Sequence, residues 1–170
     1  MAYYFATTLP VAFEEAVQRA TDALKAEGFG VITQIDVRAT FKDKLGVDFR
    51  DHRILGACNP AMAHEALQLE DKVGAMLPCH VVVQALGPRR TEVAAIDPVA
   101  SMQAIDNPQL KLAAAQVQAR LKRVVEGLSA ACPLLEQELD RELADGGPAG
   151  DPPSLTEPAG GARDCCGPAP

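Results

Sequence analysis

The sequence predicts an α+β domain, an antiparallel sheet covered on one face by helices. Three observations carry this. A period-2 run spans Phe29 to Val37, as a strand with one buried face should. Met76 to Leu86 turns through Gly87-Pro88-Arg89-Arg90 into Thr91 to Ile96, which reads as a hairpin and therefore as antiparallel pairing. Segments with a single apolar stripe at helical spacing lie before, between and after these runs, so helices can cover one face of a sheet. The chain has 170 residues and is 48% apolar, enough for one domain with a real core. Aromatics make up only 4% and Trp is absent, so Ala, Val and Leu must fill that core.

The elements follow in order. Tyr3 to Thr8 is a short strand. Pro10 stands near a helix start, and Phe13, Val17, Ala20 and Leu24 form one stripe. Glu14 and Glu15 fall in the first turns, where the helix dipole favours acids, and Gly28 is the stop. Phe29, Val31, Thr33, Ile35 and Val37 then alternate with Gly30, Gln34, Asp36 and Arg38. Phe41 to Leu45 is a helical turn, and Arg53 to Ala57 a short strand. Asn59-Pro60 is an N-cap followed by Pro at the first helical position, opening a helix to about Leu69. After the hairpin comes Asp97-Pro98, with a short helical piece from Val99 to Ile105. Asn107-Pro108 caps the last long helix, whose stripe is Leu110, Ala114, Val117, Leu121, Val124 and Leu128. Cys132-Pro133 should kink or end it, and Leu134 to Leu143 continues as a short helix.

Residues 1–143 thus read as a single domain with a C-terminal helical extension. Residues 144–170 read as a disordered tail: from Asp145 onward, six Gly and six Pro fall among 26 positions, and such a segment cannot bury enough apolar surface to offset its ordering entropy. Net charge is −7 and the pI about 4.9. A nucleic-acid partner is not expected, because a phosphate backbone calls for clustered Lys and Arg. Met1 to Pro10 lacks a basic start with a long apolar stretch, and no apolar run reaches the length of a membrane span. The expected setting is cytoplasmic, where the five cysteines stay mostly reduced. An odd count also argues against a disulfide framework.

Chemistry concentrates in two segments, Ile54-Leu55-Gly56-Ala57-Cys58-Asn59-Pro60 and Leu77-Pro78-Cys79-His80-Val81, with their cysteines 21 residues apart. Each puts a thiol where an apolar run meets a turn former. A thiolate is both a nucleophile and a soft-metal ligand. Cys58 is favoured as the reactive one, because it precedes a helix start. The bland alternative is that both are small buried hydrophobes. Their spacing matches neither Cys-x-x-Cys nor a zinc ribbon. His80 adjoins Cys79, but neighbours in a regular strand point to opposite faces. His52 and His64 read as exposed. Asp36, Asn59 and Asp97 are candidate ligand-binding residues, each with a plainer role as a solvent-facing, capping or turn residue. Cys165-Cys166, on the tail, suits a soft ion and joins Cys58 and Cys79 as a candidate metal donor.

Several of these phrases resemble the domain of unknown function 302 family. They are Glu27-Gly28-Phe29-Gly30-Val31 with Ile35-Asp36-Val37, Arg53 through Pro60, Gly74 through Leu77-Pro78-Cys79, and Ile96-Asp97-Pro98. The resemblance runs from about Tyr3 to Leu128. It implies a small α+β fold similar to the TATA-box-binding-protein type, often a homodimer, in bacteria and archaea. It supplies no activity. His80 departs from the Asn usual after the second Cys, and the chain beyond about residue 130 lies outside the family pattern. The function expected is a binding module whose thiol-containing site takes a soft metal ion or small molecule. A thiol-based redox enzyme or sulfur carrier, with Cys58 as nucleophile and Cys79 as resolving thiol, is one alternative. A protein-interaction domain with structural cysteines is the other.

Overall fold

The computed structural model describes residues 2–130. Five strands form one antiparallel sheet: β1 (Tyr4–Leu9), β2 (Gly30–Asp36), β3 (His52–Cys58), β4 (Cys79–Gly87) and β5 (Arg90–Ile96), in the order β1-β5-β4-β3-β2. The helices are α1 (Phe13–Ala26), α2 (Val37–Leu45), α3 (Pro60–Leu69), the four-residue α4 (Pro98–Ser101) and α5 (Pro108–Ala130), with a 3-10 helix at Asp71–Met76. The expected order of strands and helices holds. The helix proposed for Leu134 to Leu143, the kink at Cys132-Pro133 and the tail lie outside the described residues.

Side-chain alternation places Cys79, Val81 and Val83 of β4 and Val93 and Ala95 of β5 on the face under α1 and α5. Ala16, Val17, Ala20 and Leu24 descend from α1, and Leu121, Val124, Val125 and Leu128 from α5. Leu9, Leu24, Leu55, Leu110 and Leu121 are fully buried, each worth about 2–3 kcal/mol of transfer free energy. Ala66, Val73, Met102, Leu110 and Ala114 make a second, smaller cluster under α3, the 3-10 helix and α4. The core is therefore two apolar bodies with a seam between them.

The structure corrects the sequence reading in four places. The strand expected to run Phe29–Val37 with one buried face is an edge strand that ends at Asp36, and Val37 and Arg38 open α2. A bulge between Val31 and Thr33 inserts Ile32, so the alternation flips. Val31 faces the core, whereas Ile32 is 62% and Ile35 47% exposed. The strand expected from Met76 starts only at Cys79, because residues 71–76 wind into the 3-10 helix and Pro78 follows a cis peptide bond. The helical piece at Val99–Ile105 closes at Ser101.

On the other face of the sheet, Phe41 of α2 packs against Phe49, which in turn lies beside His52 at one end of β3. Tyr4, Ile35, Ile54, Val82 and Ala94 share this face by register. No helix among the described residues is long and apolar enough to cross a membrane.

Candidate functional site

The seam between the two apolar clusters is incompletely filled. It leaves a cavity of about 40 Å³ at the end of the sheet where β3 finishes and β4 begins. Phe29, Ala57 and Cys79 of the main core line one side, and Ala66, Leu110 and Ala114 of the smaller cluster line the other. Small side chains contribute to the gap, since Ala57, Ala63, Ala66, Ala113 and Ala114 all line it. Antiparallel pairing brings the two cysteine segments together: Ala57 lies opposite Cys79, and Cys58 is the next residue along β3. Both cysteines are among the residues lining the cavity, and neither is in a disulfide.

The thiols differ in setting. Cys79 is buried, at 8% exposure, and Cys58 is half-buried. Burial pushes the Cys79 thiol up to about 11, and the neighbouring Cys58 adds a smaller push in the same direction. The α3 terminus beside Cys58 is largely used up. Pro60 has no N–H, the Met62 amide donates to Asn59 Oδ1 at 3.2 Å, and the Ala63 amide donates to the Asn59 carbonyl at 2.9 Å.

Asn59 does a second job. Its Nδ2 donates to the Gly28 carbonyl at 2.9 Å, tying the α1–β2 corner to the start of α3. Gly28 has φ +83, the left-handed conformation that glycine adopts without penalty. Arg120 reaches the same corner and donates to the Glu27 carbonyl at 3.0 Å. Arg123 pairs with the Glu27 carboxylate at 2.7 Å and holds it below its ordinary pKa.

Asp97 is buried. Its Oδ1 accepts from the Val99 and Ala100 amides at 2.9 and 3.3 Å and from Gln118 Nε2 at 2.8 Å. Pro98, the next residue, lines the cavity. Asp36 stands apart. It caps α2 by accepting from the Ala39 amide at 2.8 Å and lies 3.6 Å from Arg53. In β2 it sits six positions from Gly30, the partner of Cys58, so it is about 20 Å along the strand from the thiols. Cys165 and Cys166 lie outside the described residues.

His80 points away from Cys79 onto the face opposite α1 and α5, as strand alternation requires, and lines a separate groove with Tyr3, Tyr4 and Glu92. His52 lies at the far end of β3 beside Phe49, their ring centroids 6.0 Å apart. Burial, with Arg50 adding to it, lowers its pKa. Among the described residues no three His, Cys, Asp or Glu side chains cluster as a metal site.

Sequence reasoning missed Met62 and Met102, which also line the cavity. Met62 sits in the first turn of α3 and Met102 ends α4. The helix start after Asn59 signals the first; nothing local signals the second.

The family model for the domain of unknown function DUF302 matches residues 5–128. The chain belongs to the DUF302 family. It is also similar to a crystal structure described as an uncharacterized conserved protein DUF302 from Bacillus stearothermophilus. The two share 30% identity at a TM-score of 0.68, over 74% of this chain and 98% of that one. No curated protein matches the sequence. In this DUF302 domain the matched span contains both cavity cysteines and the caps at Asn59 and Asp97.

Proposed function

We propose that this DUF302 domain is a binding module that holds a soft metal ion in the cavity between its two apolar clusters, with Cys58 and Cys79 as donors. The observation that supports it is the convergence of two thiols, 21 residues apart in the chain, on one small and otherwise nearly apolar space. About 40 Å³ suits an ion or a few atoms, far below the several hundred Å³ of a drug-sized ligand site. Soft d10 ions accept as few as two sulfur donors, and thiolates select them. A thiol redox enzyme fits less well. Reactive cysteines sit in partly exposed, electropositive settings, whereas Cys79 is buried and no charged residue lines the cavity among the described residues.

Native mass spectrometry tests the proposal on the full chain carrying Cys165→Ser and Cys166→Ser, reduced and given one equivalent of Ag(I). The expected result is one ion per chain, lost when Cys58 or Cys79 becomes Ser. A spectrum without bound ion overturns the reading.

For the partner, we propose a second copy of the chain seated on the sheet face opposite α1 and α5. Tyr4 and Ile35 are exposed there, and Ile54 and Val82, half-buried, share the face by register. Light scattering should give twice the chain mass. Ile54→Lys should return the monomer mass with the far-ultraviolet spectrum unchanged. A parent monomer at micromolar concentration excludes the dimer.

A further inference from the structure

Four sulfur atoms, not two, belong to residues lining the cavity. Cys58 ends β3, Cys79 begins β4, Met62 lies in the first turn of α3, and Met102 closes α4. The chain has only four methionines, so half of them border this one space. Met102 is 6% exposed. No acid or imidazole lines the cavity among the described residues. Its one side-chain amide, Asn59, is committed on both sides, to the Met62 amide and the Gly28 carbonyl. Among the lining residues, the remaining side-chain donors are the sulfurs of Cys58, Cys79, Met62 and Met102.

That chemistry is selective. Thioethers are neutral, soft and poor ligands for Zn(II), which takes thiolate, imidazole or carboxylate. Mixed thiolate and thioether sets select Cu(I). Building on the soft-ion reading above, we infer that Met62 and Met102 complete the site as thioether donors and that its ion is Cu(I). Uptake forms two copper–thiolate bonds from two S–H groups and releases two protons to solvent. The oxidation state does not change, so no electron donor or acceptor is needed. The complex carries one negative charge on four sulfurs. Methionine also suits the position mechanically, because its unbranched side chain can reach a central atom from either helix terminus.

The test uses the full chain with Cys165→Ser and Cys166→Ser, titrated anaerobically with Cu(I) against a chromophoric Cu(I) chelator. X-ray absorption on the parent complex reads the coordination number directly. Met62→Leu, Met102→Leu and the double variant conserve volume and should fold; thermal melting checks that. The expected parent has more than two sulfurs around copper and binds one Cu(I). Each leucine weakens binding on the order of tenfold, equivalent to about 1.4 kcal/mol, and the double variant falls to two-sulfur coordination. Two sulfurs in the parent, or equal affinity in the folded double variant, overturns the thioether assignment and leaves the two-thiol reading standing. A parent that takes up no Cu(I) overturns both.

Discussion

At the scale of single residues, Asn59 joins two structural jobs beside the site. Its Oδ1 caps α3 and its Nδ2 holds the Gly28 carbonyl. Asn59→Asp keeps the acceptor and loses the donor, so it should cost about 1 kcal/mol. Asn59→Ala loses both and should cost about 2 kcal/mol. Urea unfolding of the two variants checks that order; equal losses would mean the Gly28 bond contributes nothing. Cys79 gives a second prediction. Its pKa rises from about 9.0 to about 11 in the folded chain, so between those values the folded protein keeps a proton the unfolded chain has given up. Its contribution is fully present below about pH 9 and is lost as the pH rises toward 11, by up to about 3 kcal/mol. The parent should therefore lose stability over that window more steeply than Cys79→Ala. Parallel slopes for the two proteins would contradict the burial argument.

At the scale of elements, Gly56 shows why the cysteine-bearing strand has the sequence it has. A Cβ there would lie 2.7 Å from Pro78 Cγ and would also run into the Thr33 side chain. β2, β3 and the start of β4 thus close on a position that only glycine fits. Gly56→Ala should destabilise by about 1–3 kcal/mol through overpacking, measurable as a lower melting temperature, and should displace the Cys79 end of β4. No change in melting would show that Thr33 simply turns aside. Most elements were legible in the chain because their signals are local. The stripe of α1, the Asn59-Pro60 start of α3 and the Gly87–Arg90 turn each state their structure within a few residues. The bulge at Ile32 was not legible. A period-2 pattern through Phe29–Val37 looks the same with or without one extra residue in the ladder. Asp36 illustrates the same limit, since its charge was visible while its cap on α2 depended on where the strand stopped.

At the scale of the whole molecule, the sequence marked the two cysteine segments and could not mark the cavity. A void depends on the distance between bodies that are remote in the chain. Met102 lies 44 positions from Cys58, and only the packing of α4 and α5 brings its side chain to the same space. The division of the core into two clusters has a kinetic consequence. The smaller one, with five buried residues under α3, the 3-10 helix and α4, has less apolar contact to lose than the sheet and its two long helices. Its amides should therefore open as one cooperative unit at lower free energy than those of β4 and β5. Hydrogen–deuterium exchange should show residues 60–76 exchanging together and well before residues 81–95, and a bound ion bridging the seam should slow the first group toward the second. Such transient separation would widen the seam that holds the two cysteines without any loop having to move.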